Sequence, residues 1–165
     1  MKVAVISDTH EYVPSNQLAS LYEKELAPAD ALLHLGDVTG EPTLALFMNH
    51  PCFFGVAGNM DGPGVTNHLP GLRKVELEGF SIGMAHGWGF GGDMALSLIN
   101  HFGPDVDIVC FGHSHVFQWT QHNGVWALNP GSVGSPRKGG PSMAFLHLEQ
   151  GQPPHAEQMD LSWLW

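Results

Sequence analysis

Five short segments of this 165-residue chain carry side chains that bind metal ions: Asp8-Thr9-His10, Gly36-Asp37, Gly58-Asn59, His86-Gly87 and Gly112-His113-Ser114-His115. Each follows an apolar, strand-like run, so each stands where a buried strand delivers a loop. His113 and His115, two residues apart behind a glycine, can turn both imidazoles toward one point, which is how a metal ion is clamped. One such pair means little in a chain with 11 histidines, and a single Asp or Asn at a strand end usually serves a turn or a helix cap. Strand ends that repeatedly offer nitrogen or oxygen donors point instead to one centre assembled from several loops.

The donors are Asp8, His10, Asp37, Asn59, His86, His113 and His115. That is more than a single ion needs once room is left for water, and one bridging carboxylate, for which Asp37 is the choice, would divide them between two divalent ions. Oxygen and imidazole donors without a thiolate suit transition metals, with Mn first and Fe, Ni or Zn as alternatives, and suit Ca or Mg poorly. Two cations about 3.5–4 Å apart bind a phosphoryl group, lower the pKa of a bridging water and offset transition-state charge. Hydrolysis of a phosphate ester is the reaction that arrangement favours.

The elements that must position these donors follow from apolar runs and breakers. Lys2 to Ser7, Ala31 to Leu35 and Cys52 to Val56 read as buried strands, separated by helices that start at Pro14-Ser15 and Glu41-Pro42. That alternation favours a parallel sheet, in which polar side chains gather beyond the carboxyl ends of the strands. Leu72 to Leu77 and Phe80 to Ala85 read as a hairpin turning at Glu78-Gly79, and Val116 to Gln121 and Val125 to Leu128 as another around Asn123-Gly124. Between them lie a helix from Met94 capped by Asp93 and a strand from Asp105 to Phe111. Gly62-Pro63-Gly64 reads as a loop, Met143 to Leu148 as a late strand and Ala156 to Leu161 as a final edge strand. The expected fold is α/β, two sheets packed face to face with helices outside, the first sheet entered by parallel crossovers and the second mostly by hairpins.

The length suits one domain over residues 1–165, and 43% hydrophobic content supplies its core. A formal net charge of −10 speaks against a nucleic acid polymer or an anionic membrane as partner, although bound cations would still let the site take a phosphate. No run reaches the roughly 18 apolar residues of a membrane span, and Met1 to Ser7 is too short for a secretory signal. Cys52 and Cys110 read as buried reduced thiols, which agrees with a cytoplasmic protein.

In this order the motifs resemble those of the calcineurin-like metallophosphoesterases, above all their small single-domain bacterial and archaeal phosphodiesterase branch. The family's D-x-H, G-D, G-N-x-D/E, H-G and G-H-x-H elements are matched by Asp8/His10, Gly36-Asp37, Gly58-Asn59-Met60-Asp61, His86-Gly87 and Gly112-His113-Ser114-His115, and Asn129 to Arg137 is similar to its N-P-G-S-x-x-x-P-R loop. The resemblance runs to about Leu148 and implies a four-layer α/β/β/α sandwich of two mixed sheets. It implies one ion on Asp8, His10, Asp37 and His115 and a second on Asp37, Asn59, His86 and His113. A hydroxide bridging the ions would attack phosphorus in line.

Asp37, Asn59, His86 and Asp61 are the catalytic candidates on this reading, with Asp61 read first as an acceptor that orients a ligand or the loop and only second as an acid. Asn59 and Arg137 are the candidates for contacting substrate. Family phosphomonoesterases usually carry histidine where Met60 stands, so a small phosphodiester is the expected substrate, with help at the leaving group left to His68, Asp61 or solvent. The remaining histidines, His34 among them, default to surface or packing roles. Trp88 could wall the pocket. Specificity would come from residues 60–70, 87–93 and 130–141. A protein-binding platform on the same fold, as a retromer subunit provides, is the alternative, followed by a phosphomonoesterase or a nuclease. The apolar tail Leu161-Ser162-Trp163-Leu164-Trp165 suggests a docking surface or a homo-oligomer contact.

Overall fold

The central strands are buried on both faces, and successive side chains along them enter different layers. The computed structural model describes every residue except Lys138 and Trp165. Its strands in chain order are β1 (Lys2–Ile6), β2 (Ala31–His34), β3 (Phe53–Gly55), β4 (Leu72–Leu77), β5 (Phe80–Ala85), β6 (Ile108–Phe111), β7 (Phe117–His122), β8 (Val125–Pro130), β9 (Ser142–His147) and β10 (His155–Asp160). On β1, Val3 and Val5 face a core shared with Leu33, Ile82, Met84, Ile108 and Cys110, whereas Ala4 and Ile6 face one shared with helical Leu18, Leu21, Leu44 and Phe47. The first core lies between two sheets, and the second lies between a sheet and its helices.

The sheets have strand orders β10-β9-β1-β2-β3 and β4-β5-β6-β8-β7. Helices α1 (Asn16–Leu21, running on through a π-helical turn at Tyr22–Leu26), α2 (Glu41–Met48) and α3 (Pro63–Thr66) cover the first sheet. Helix α4 (Met94–Phe102) covers the second, its Leu98 and Ile99 clustering with Val109 and Phe111. The result is the α/β/β/α sandwich expected from the sequence. Helix starts also follow the sequence signals: Ser15 Oγ accepts from Leu18 N at 3.1 Å, and Asp93 Oδ1 from Leu96 N at 3.1 Å.

Three features depart from the simpler expectation. The second sheet is parallel at its centre, β5 with β6 and β6 with β8, and hairpins supply only the flanking strands β4 and β7. The late strand β9 returns to the first sheet, antiparallel to β1, and carries β10 at the edge. The supposed loop at Gly62-Pro63-Gly64 opens the single helical turn α3, where Pro63, lacking an N–H and with φ already set, suits the first helical position.

Strands β1, β2, β3, β5 and β6 each run into one of the donor-bearing segments, so the carboxyl ends of parallel strands from both sheets meet along one rim. No helix among the described residues is long and apolar enough to cross a membrane. Of the tail, Trp163 is 49% exposed with the Lys24 ammonium over its ring, and Trp165 lies outside the described residues.

Cys110 is fully buried between the sheets, and burial pushes its thiol up to about 12, whereas Cys52 is only half-buried. A thiol reagent at neutral pH should therefore label Cys52 in the native protein and reach Cys110 only after unfolding. Mass spectrometry of the labelled peptides checks this, and native labelling of Cys110 would contradict the core described here.

Candidate metal centre

Adjacent parallel strands β1 and β2 of the first sheet bring Asp8 and Asp37 to the middle of the rim, 0% and 2% exposed. Around them stand three imidazoles. His115 Nε2 lies 3.1 Å from Asp8 Oδ1, His86 Nε2 lies 3.2 Å from Asp37 Oδ2 and 4.0 Å from Asp8 Oδ1, and His10 Nε2 lies 3.7 Å and 3.8 Å from the Asp8 and Asp37 carboxylates. Asn59 Oδ1 is 3.1 Å from His86 Nε2. Donor atoms of Asp8, His10 and His115 converge as one group and those of Asp8, Asp37 and His86 as another, so Asp8 also stands between the groups. The His113 ring packs edge-on against His86 at 5.1 Å, on the side expected of it, but His113 belongs to neither converging group of described residues.

Backbone strain holds these side chains in place. Asp8, His10, Asp37, His113 and His115 all have left-handed backbones, with φ of 55°, 51°, 57°, 67° and 59°. Asp and His tolerate this region better than most residues, yet it still costs on the order of 1 kcal/mol each. Two glycines allow the loops to touch. A Cβ on Gly36 (φ +96°) would lie 2.7 Å from His86 Nδ1, and one on Gly58 would lie 2.5 Å from Asp37 N and press on its carboxylate.

Hydrogen bonds then aim each donor. His86 Nδ1 donates to Leu35 O at 2.8 Å and His115 Nδ1 to Ser135 O, which leaves both Nε2 atoms facing the carboxylates. Asp8 Oδ2 accepts from Ser7 Oγ at 2.6 Å and His113 N at 3.1 Å, and Asp37 Oδ1 accepts from Met60 N at 2.8 Å. What remains is telling: Asp8 Oδ1 and His10 Nε2 are buried with no hydrogen-bond partner. A buried carboxylate oxygen and a buried ring nitrogen left unpaired beside each other fit a cation between them.

The electrostatics agree. Burial would raise the Asp8 carboxyl, but the neighbouring imidazoles of His10, His115 and His86 and the Ser7 hydroxyl outweigh it and hold the group far below the usual carboxylate range. Asp37 is lowered in the same way, burial opposing and His86 prevailing. His86 is raised, its burial outweighed by Asp37 and Asp8, and His115 is raised chiefly by the adjacent Asp8 carboxylate. These are sites built for positive charge.

The model of the calcineurin-like phosphoesterase superfamily domain matches residues 1–151. The chain belongs to that superfamily. A probable metallophosphoesterase of Methanocaldococcus jannaschii is 31% identical over 140 residues, which cover 83% of this chain and 70% of that protein. Among solved structures, an archaeal phosphodiesterase superposes with a TM-score of 0.73 at 20% identity, covering 96% of this chain and 100% of the other. Vacuolar protein sorting 29 from Cryptosporidium parvum superposes with a TM-score of 0.74 at 20% identity, covering 96% and 97%. At that identity the two structures speak to the fold alone.

Several residues shape the rim through bonds that the sequence alone does not assign. His34, driven down to about 3 by full burial and hence neutral, accepts from Gly36 N at 3.2 Å and meets Thr9 Oγ1 at 3.3 Å beneath the centre. Asn129 Nδ2 donates to Gly112 O at 2.7 Å and Ser114 Oγ at 3.0 Å, while Ser132 Oγ donates to Asp8 O at 3.0 Å. The family-like loop from Asn129 to Arg137 thus ties the ends of β1 and β6 together. Arg137 at its end is exposed; burial lowers the pKa of His113, with the charges of His86 and Arg137 adding to it.

Asp61 braces the loops: Oδ1 accepts from Thr39 N at 2.7 Å, and Oδ2 accepts from Gly58 N at 2.7 Å and Asp37 N at 3.0 Å. Both oxygens face backbone N–H groups rather than the carboxylate pair. Asp61→Ala should therefore weaken Mn binding about 10- to 100-fold by letting the Asp37 and Asn59 loops drift. Competition against a fluorescent chelator measures this, and wild-type affinity in a folded variant would contradict the bracing role.

Proposed function

We propose that this protein is a metal-dependent phosphodiesterase acting on small phosphodiesters, with Asp8, His10, Asp37 and His115 holding one divalent ion and Asp37, Asn59, His86 and His113 the other. The observation that carries this reading is the unpaired, buried Asp8 Oδ1 and His10 Nε2 beside two converging groups of donors, Asp8 with His10 and His115 and Asp8 with Asp37 and His86. Membership of the superfamily supports a hydrolase, and the archaeal phosphodiesterase of the same fold supports the narrower class. Bound divalent ions would supply Lewis-acid binding of the phosphoryl oxygens and an acidified water. Mn is the first choice of metal, with Fe, Ni or Zn fitting the same donors.

The chain's own residues do the rest. His86 and His115, each donating from Nδ1 to a backbone carbonyl, keep Nε2 turned inward. Asp37 is held by the Met60 N–H, and Asp61 keeps that loop closed. Asn59, exposed at the mouth, serves ion and substrate together, and Arg137 contributes positive charge for the substrate phosphate. The Met60 side chain is 60% exposed and cannot deliver a proton, and the Asp61 oxygens are engaged elsewhere. Neither can help expel a poor leaving group, which favours diesters with good ones. The free thiols Cys52 and Cys110 support action in the cytoplasm.

The test strips the protein of metal, reloads it with Mn, Fe, Ni or Zn, and follows a chromogenic phosphodiester beside the matching monoester. Metal-dependent cleavage of the diester, a slower monoester rate and loss of both in His115→Ala are expected. A loaded protein that cleaves neither ester would overturn the enzyme reading and leave the protein-binding platform as the better one.

A further inference from the structure

Beside the Asn59–His86 side of the centre opens a cleft of about 560 Å³, within the range of small-molecule sites. Leu69, Pro70, Leu72, Trp88 and Phe90 line it, Asn59 and His86 stand at its inner end, and none of its lining residues is Asp, Glu, Lys or Arg. A second phosphate or a charged head group would therefore find no counter-charge there.

Gly87, Trp88 and Phe90, just after β5, line one part of the cleft. The two aromatic residues have opposite fates. Phe90 is anchored, its N–H on Gly87 O at 3.2 Å and its ring edge-on to His101 at 5.4 Å over α4. Trp88, separated from it by Gly89 at φ +88°, is 66% exposed although it is the larger ring. Across the cleft Leu72, the first residue of β4, is likewise 44% exposed. Two exposed apolar side chains facing one uncharged cleft next to a polar centre form a surface that awaits an apolar ligand.

We infer that this cleft is the specificity pocket for an uncharged, planar aromatic group esterified to the substrate phosphate, stacked on Trp88 while the phosphate sits at the centre. This deepens the phosphodiester reading above and rests on it. The pocket provides the binding of the organic group that the ion-holding residues cannot, and it selects aryl or nucleobase-like esters over small alkyl esters. Stacking on one exposed aromatic ring commonly changes binding about tenfold.

The test is calorimetric and needs no turnover. Phenylphosphonate and methylphosphonate, neither hydrolysable, are titrated into the Mn-loaded protein, with a chromogenic phosphodiester assayed in parallel. Phenylphosphonate should bind about tenfold more tightly, Trp88→Ala should bring the two within about twofold, and Trp88→Phe should retain most of the preference. Equal binding of the two by the wild-type protein, or an undiminished preference in Trp88→Ala, with the diester still hydrolysed, would overturn the pocket and leave the phosphodiesterase reading intact. If neither phosphonate binds and the diester is not cleaved, the phosphodiesterase reading itself fails and takes the pocket with it.

Discussion

Two carboxylates, Asp8 and Asp37, are held almost out of water at the point where the sheets meet, and most other features of the rim answer to that pair. Neighbouring buried negative charges are unfavourable unless positive charge stands beside them. Imidazoles supply part of it, as the raised His86 and His115 and the lowered Asp8 record. They do not satisfy Asp8 Oδ1 or His10 Nε2, which remain unpaired. A cation fits between them, and the left-handed backbones at five of the seven candidate donors are the conformational cost of that arrangement.

That place depends on the fold at long range. Asp8 and His113 are far apart in sequence, yet the His113 N–H reaches the Asp8 carboxylate because β1 and β6 end side by side in facing sheets. The core between the sheets, with Val3, Val5, Ile82, Met84 and Ile108, fixes that spacing. Packing and chemistry are coupled through Gly36 and Gly58, where a single methyl group would push the Asp37 and His86 loops apart.

The donors were legible because their chemistry is in their side chains and their positions follow strand ends that hydrophobic patterning marks. The layers were legible for the same reason, down to the Ser15 and Asp93 caps and the Asn123-Gly124 turn, whose φ values of 52° and 87° suit a tight hairpin. The braces were legible only in part. Asp61 reads as an acceptor that orients the loop and the Asn129–Arg137 loop stands out in the sequence, but the partners of His34, Asn129 and Ser132 are backbone groups brought near only by tertiary structure, so no spacing in the chain announces those bonds. Strand β9 pairs with β1 across most of the chain, and α3 hides behind a Gly-Pro-Gly run that reads as a break. Asp8 also bears on both donor groups, a role for which Asp37 alone was the sequence's candidate.

The most direct measurement is electron paramagnetic resonance of the protein titrated with Mn(II), with bound metal counted in parallel. A carboxylate shared between adjacent ions predicts two ions per chain and an exchange-coupled spectrum that gives way to that of isolated ions in Asp37→Asn. One ion per chain, or two that never couple in the wild-type protein, would contradict a dimetal centre built on Asp8 and Asp37.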